Sequence, residues 1–256
     1  FMDSTANVYD AATGLLLYTL HSIEDIKYAT FSPDAKTIAT ACRDGSISLW
    51  NTENGALLKT FTGHEGIITC VKFSWNNKYL ASSSTDSTAK FWSILTGKCV
   101  ATLKGHTGIV NYVDMGDAPK NFVTASTDKT AKVWDANEQK CLFTLEGHTD
   151  NITSVEYNKY GEQIITTSAD NTCKLWDAKT GKLIATFIAI GTSDFITMAP
   201  DGYYQSSPNA SKLLYYVTKD LKTISFDQLD LKYNRPDKIF ELLGNKDTTL
   251  ITSYKN

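Results

Sequence analysis

The chain has 256 residues, 42% of them hydrophobic and 21% charged, the balance of a globular protein with a sizeable core. A formal net charge of −3 leaves no electrostatic footprint for nucleic acid or for an anionic membrane surface, either of which needs a clustered basic excess. The most apolar stretch, Leu183–Ile190, falls well short of the roughly 18 residues of a membrane-spanning helix and reads as a buried strand.

In chain order, the first element is incomplete. The sequence opens at Phe1 instead of a methionine, which implies further residues upstream and leaves open whether a signal peptide is among them. Residues 1–20 read as the closing part of a repeat, because Asp3 precedes Tyr9 by six residues just as Asp44 precedes Trp50.

Residues 21–188 hold four copies of one unit. Trp50, Trp92, Trp134 and Trp176 recur every 42 residues. So do Gly63-His64, Gly105-His106 and Gly147-His148, and Asp44, Asp86, Asp128 and Asp170 stand six residues before each tryptophan. Three residue types on one period mark a repeat architecture. Within the unit that begins at His64, residues 67–73, 79–84, 88–92 and 99–103 read as four short strands. Asn76-Asn77, Asp86-Ser87 and Thr96-Gly97 supply the turns between them. A four-stranded unit has two faces and cannot cover both alone; packing neighbours around a ring covers them and leaves only short edges.

Residues 189–226 form an exception without Gly-His or Trp, yet 195–198, 203–205, 213–217 and 223–226 still read as strands, giving a divergent last blade. Residues 227–256 read as a helical tail or linker. Arg235-Pro236-Asp237 opens a short helix with Ile239, Phe240, Leu242 and Leu243 on its apolar side, ended by Gly244, and Asp247 caps a second through Tyr254. These helices either pack on the rim or bridge to a following domain.

Strings such as "GHTGIV…FVTASTDKTAKVWD" and "GHTDNI…IITTSADNTCKLWD" resemble the WD-repeat family. The resemblance runs from about Asp3 to Ile188 and fades toward Phe226. It implies an all-β WD-repeat β-propeller, about five and a half blades of it in this chain, with a parent ring of seven among the roughly four to eight known. It also implies that His64, Ser84, Asp86 and Trp92 form a structural hydrogen-bond network in one blade. His106, Ser126, Asp128 and Trp134 would do so in the next, and His148, Ser168, Asp170 and Trp176 in the one after. A hydrolase reading of the same residues is disfavoured, since a catalytic site occurs once per domain and these sets recur on a strict period. The first full repeat departs from the pattern: Ser22 takes the histidine position, His21 falls one place early, and Cys42 replaces the serine, so that blade is expected to be softer. The stretch "PDGYY…LDLKYNRPD…LLG" is similar to the terminal repeat of bacterial propeller proteins in which a caspase-like peptidase domain can share the polypeptide. That peptidase's His and Cys motifs are not in this chain, so no peptidase activity carries over.

Family propellers bind partners mostly where the central channel opens. Matched by position, those residues are Asp25, Lys27 and Arg43; Ile67, Thr69 and Thr85; Ile109, Asn111 and Thr127; and Asn151, Thr153 and Ala169. Apolar, hydroxyl and amide groups with few charges suit a protein or peptide, or another domain of the same polypeptide, better than nucleic acid. The expectation is therefore a non-catalytic scaffold for protein–protein interaction. Two alternatives are the regulatory propeller of a larger effector such as a caspase-like peptidase, and a structural part of a large assembly. No cofactor is expected, since the glycines are scattered in turns and form no phosphate loop, and no metal, since no cysteine is spaced with the histidines as a ligand. Cys42, Cys70, Cys99, Cys141 and Cys173 are odd in number and lie in strand-like runs, which reads as small buried hydrophobes in a reducing, cytoplasmic setting.

Overall fold

The computed structural model describes residues 4–116, 121–210, 215–217, 223–225, 233–244 and 247–253. Strands β1 (Thr5–Tyr9) and β2 (Leu16–His21) form a two-stranded sheet. Four antiparallel four-stranded units follow. The first is β3 (Ile26–Phe31), β4 (Thr37–Cys42), β5 (Ile47–Asn51) and β6 (Leu57–Phe61). The second is β7 (Ile68–Phe73), β8 (Tyr79–Ser84), β9 (Thr88–Ser93) and β10 (Cys99–Lys104), and the third β11 (Val110–Met115), β12 (Asn121–Ser126), β13 (Ala131–Asp135) and β14 (Lys140–Leu145). The fourth is β15 (Ile152–Tyr157), β16 (Gln163–Ser168), β17 (Thr172–Asp177) and β18 (Leu183–Ile190). Each unit is a propeller blade. The first strands β3, β7, β11 and β15 lie next to one another and mark the inner side.

The turns are set by side-chain chemistry. In the second blade Asp86 Oδ1 accepts from the Thr88 backbone N–H at 2.9 Å and from the Thr88 hydroxyl at 2.6 Å, closing the turn between β8 and β9. The residue between them takes a left-handed conformation: Ser87, Lys129 and Asn171 at φ 64°, 71° and 64°, and Gly45 at 82°. Gly105 answers a different demand. Its φ is 150°, and a Cβ there would stand 3.2 Å from the Trp134 ring.

The core lies between blades. Ala39, Ala41, Ile47, Leu49 and Phe61 of the first blade meet Ile68, Val71, Leu80 and Trp92 of the second. Phe91 of the second stands edge-on to Phe122 of the third at 4.7 Å, beside Trp134. Val123, Ala125, Val133 and Leu145 of the third meet Ile152, Val155, Ile164 and Trp176 of the fourth. The partial blade joins by the same device, with Leu20 against Ile38 and Trp50. Tyr9, opposite Leu16 as Trp50 is opposite Leu57, is 56% exposed, so it holds the tryptophan's place in the ladder without its burial. Asp3 lies outside the described residues. On the fourth blade Ile165 is 40% exposed, where its counterparts Ala39, Ala81 and Val123 are buried by a following blade.

Of the expected divergent blade, the described residues show four strands. β19 (Asp194–Met198) and β20 (Tyr204–Ser206) continue the sheet of the fourth blade, and β21 (Tyr215–Val217) pairs with β22 (Thr223–Ser225). β18 runs for eight residues where β6, β10 and β14 run for five or six, and its far end folds back through Gly191 so that Ile188 pairs with Ile196. Helix α1 (Pro236–Leu242) follows β22 in the chain and is tied back to β20 by the Tyr204–Asn234 bridge and by the Arg235 N–H donating to the Tyr204 carbonyl. Arg235 forks onto buried Asp237 at 2.8 and 2.6 Å, Ile239 is buried and Leu242 is 40% exposed. The last described element is α2 (Thr248–Ser253); Tyr254 lies outside the described residues.

If burial between blades holds the array together, Phe122→Ala should cost about 3–5 kcal/mol and Ile165→Ala less than about 1 kcal/mol, read as shifts of the urea midpoint. Equal losses would contradict the packing described.

Candidate functional site

At one end of the second, third and fourth blades a chain of polar groups links two strands, the turn between them and the loop before the first strand. In the second blade β9 carries Trp92, β8 carries Ser82, the turn between them carries Asp86, and the loop leading into β7 carries His64. The Trp92 indole N–H donates to Ser82 Oγ at 2.8 Å, Ser82 Oγ stands 2.8 Å from His64 Nε2, and His64 Nδ1 stands 2.7 Å from Asp86 Oδ2. The third blade repeats this through Trp134, Thr124, His106 and Asp128 at 2.8, 2.7 and 2.8 Å. The fourth does so through Trp176, Thr166, His148 and Asp170 at 2.9, 2.7 and 2.9 Å. Because the carboxylate only accepts, Nδ1 carries the proton and Nε2 accepts from the hydroxyl. Every donor therefore points toward the aspartate.

The bridging hydroxyl differs from the sequence expectation. Ser84, Ser126 and Ser168 do not bridge; their Oγ atoms accept the backbone N–H of Asp86, Asp128 and Asp170 at 3.2, 3.1 and 3.1 Å. Residues two apart on a strand share a face, so both hydroxyls point the same way, but only the earlier one reaches the indole. Its distinguishing signal was present. A hydroxyl residue stands ten places before each of the four periodic tryptophans (Thr40, Ser82, Thr124, Thr166), whereas the position eight before becomes Cys42 in the first repeat.

Burial pushes the His64, His106 and His148 imidazoles below their ordinary pKa, outweighing the carboxylate beside each. Burial also opposes charge on Asp86, but hydrogen bonds from Thr88 and His64 outweigh it and hold the carboxyl at about 2. Asp128 is likewise held at about 2, and Asp170 is lowered for the same reasons. Each of these three blades thus closes a neutral imidazole onto an ionised carboxylate. The Ser82, Thr124 and Thr166 residues are fully buried, and each oxygen is flanked by an indole and an imidazole. A substrate has no approach to that oxygen, so the chain of bonds fastens strands together.

The first blade keeps half of it. The Trp50 indole donates to Thr40 Oγ1 at 2.8 Å and Asp44 accepts from Ser46, but the Ser22 hydroxyl meets Cys42 Sγ and the Glu24 N–H, each at 3.4 Å, and His21 is exposed at the end of β2. The five cysteines are free thiols; Cys42 and Cys70 are buried, whereas Cys99 is exposed, a departure from the expected burial that follows from its place on an outermost strand. Among the described residues no group of three His, Cys, Asp or Glu side chains converges as a metal site would, and no helix is long and apolar enough to cross a membrane.

The residues matched to the channel mouth fall into tied pairs. The backbone N–H groups of Arg43, Thr85, Thr127 and Ala169 donate to the carbonyls of Asp25, Ile67, Ile109 and Asn151, each at 2.9 Å. Arg43 also approaches Asp25 as an ion pair at 3.6 Å. Lys27, Ile109, Asn151, Thr153 and Ala169 are exposed. Thr69 and Asn111 are turned to the neighbouring blade instead, donating to the carbonyls of Val110 and Ile152 at 2.5 and 2.8 Å.

Further along the inner strands is a cluster that sequence reading missed, because its positions differ from repeat to repeat. Tyr28 and Tyr112 meet through their hydroxyls at 3.5 Å, Lys72 lies 5.0 Å above the Tyr112 ring, and Glu156 accepts from Tyr112 at 3.3 Å. Burial raises both phenols, Tyr112 to about 12.

Antiparallel blades of this kind, fastened by a recurring Trp–hydroxyl–His–Asp chain, define a WD-repeat propeller. Residues 14–51, 55–93, 97–135 and 139–177 match the model of the "WD domain, G-beta repeat", and the chain belongs to that family. Repeats of this family serve broadly as protein-interaction scaffolds. Among curated proteins, the chain is similar to Periodic tryptophan protein 2 homolog of Dictyostelium discoideum, 52% identical over 44 residues, covering 17% of this chain and 5% of the relative. It is also similar to Periodic tryptophan protein 2 of Arabidopsis thaliana, 34% identical over 53 residues, or 21% and 6% of the two chains. A third likeness is to Transducin-like enhancer protein 2 of Mus musculus, 35% identical over 74 residues, or 28% and 10%. The matched stretches thus span a tenth or less of these relatives.

Replacing Ser82 by Ala should leave the indole N–H without its acceptor and cost about 1–3 kcal/mol in a urea titration, and Ser84→Ala should cost less. The reverse order would reinstate Ser84 as the bridge. The response to pH has a fixed sign. The three histidines have folded values below their unfolded value of 6.5, so their contribution is present above 6.5 and is lost as pH falls through the folded values. The aspartates add a second loss as pH falls from 3.8 toward about 2. The urea midpoint is expected to be level above neutrality and to decline in those two windows; a midpoint that rises on acidification contradicts this.

Proposed function

We propose that this chain is a non-catalytic scaffold whose channel-mouth face receives a protein or peptide partner, or another domain of its own polypeptide. The observation that carries this reading is the row of tied pairs, Asp25 with Arg43, Ile67 with Thr85, Ile109 with Thr127 and Asn151 with Ala169, brought to one end of four adjacent blades. Rigid backbone ties lower the ordering cost of binding, and the mixture of aliphatic, hydroxyl, amide and few charged groups matches the make-up of protein interfaces. Thr69 and Asn111 serve this surface by holding neighbouring blades in place. Five free thiols accord with a reducing, cytoplasmic setting.

The test is a comparison of variants used as bait. Ile109→Asp and Arg43→Glu should each weaken a captured partner by about tenfold or more while leaving the melting temperature within a few degrees of the parent. Leu58→Asp, on the exposed outer strand β6, should leave capture unchanged. Loss with Leu58→Asp and retention with the mouth variants would place the interface on the rim.

A further inference from the structure

The first complete blade holds a cavity of about 210 Å³ that reaches its tryptophan, where the second blade has a hollow of about 370 Å³ that does not. Two substitutions set the two apart. Ser22 stands where His64 stands one repeat later, and Ser48 stands where Lys90 stands. In the three sister blades that lysine lies over the outermost strand, its ammonium 3.0 Å from the hydroxyl of Thr102, Thr144 or Thr186. With both groups shortened, the cavity reaches inward to Trp50, whereas the corresponding hollow of the second blade stops at Lys90 and does not touch Trp92.

What remains in place is the receiving half of the site. Asp44 is oriented as its counterparts are, with Oδ1 accepting from the Ser46 N–H at 2.9 Å and hydroxyl at 2.7 Å. In the second blade the other oxygen of the carboxylate accepts from His64 Nδ1 and from the Glu65 N–H. Among the described residues no such donor reaches Asp44 Oδ2. The walls add the hydroxyls of Ser22, Ser48 and Thr60, the carboxylate of Glu24 and the apolar sides of Trp50 and Leu57. A site rich in acceptors, acidic and free of Lys or Arg calls for a cation with several N–H donors. The second blade shows which donors meet the same acceptors from within: an imidazole N–H on the carboxylate and an ammonium beside the threonine hydroxyl.

We infer that this cavity is a subsite for an arginine side chain of the scaffold's protein partner. The planar guanidinium would donate to Asp44 Oδ2 and to the serine hydroxyls, with its stem along Leu57 and Trp50. The fork of N–H groups fits two separated acceptors better than the single point of an ammonium does. The site adjoins Arg43 and Asp25, so it deepens the mouth reading and rests on it for the partner. A small probe tests the cavity independently, and failure of the probe leaves the mouth variants to be judged on their own.

The experiment uses the ¹⁵N-labelled chain, whose five tryptophans give five indole signals. Millimolar methylguanidinium is expected to shift the Trp50 indole saturably and leave Trp92, Trp134 and Trp176 unmoved, with methylammonium about tenfold weaker. Ser22→His, which returns the imidazole, should abolish the shift and raise the melting temperature. Ser48→Lys should abolish it by a separate route, and Asp44→Asn should weaken it by about tenfold. No shift at Trp50, or a shift that survives Ser22→His or Ser48→Lys, overturns the cavity as a cation site. An equal response to methylammonium overturns its assignment to arginine.

Discussion

A sheet of four short strands has two faces, and neither can be left to water without losing the burial that keeps a small unit folded. This constraint governs the structure described. Each blade covers the next with a repeated set of aliphatic groups and one indole, so the core runs between sheets and never within one. At about 25 cal/mol for each Å² of apolar surface removed from water, such faces dominate the energetics, and the polar chain at the blade end selects geometry more than it supplies free energy. It fixes the indole in one orientation, and that orientation presents a flat ring to the neighbour. The exposed Ile165 shows the same rule from the other side: a position that is covered by the next unit in three blades is exposed in the fourth.

Much of this was legible in the sequence because a period of 42 turns one chain into four aligned copies. Strand positions, turns and the Trp, His and Asp of each chain of bonds could be read from that alignment. Two parts could not be read as they were. The bridging hydroxyl was placed two residues late, since Ser82 and Ser84 are chemically alike and share a face; only three-dimensional reach separates them, although the intact Thr40 beside the altered Cys42 pointed to the earlier position. The C-terminal strands are legible as strands, but the pairing of β19 with β18 is not. Short alternating segments carry no mark of which edge they will join, and the far end of the long β18 offers one.

The mouth surface and the first-blade cavity differ in how they arise. The mouth is formed by backbone ties that recur in every blade, with side chains free to vary on a constant frame. The cavity arises from an exception, two shortened side chains against an intact carboxylate. Period alone flagged His21 and Ser22 as irregular, but the matching retreat of Ser48 becomes meaningful only when both are seen to border the same space. Function in such arrays is best sought where the copies disagree while their frame agrees.

All four members of each polar chain come from one blade: the loop before its first strand, its second strand, the turn after it and its third strand. No blade borrows a member from its neighbour. An array with self-contained fasteners has redundancy of the kind found in duplicated parts. One copy can lose its imidazole, acquire a cavity and drift toward recognition while its sisters go on holding the shape. A fastener shared across blades would have tied every copy to the same sequence, and so the locality of the bond chain leaves each repeat free to evolve alone.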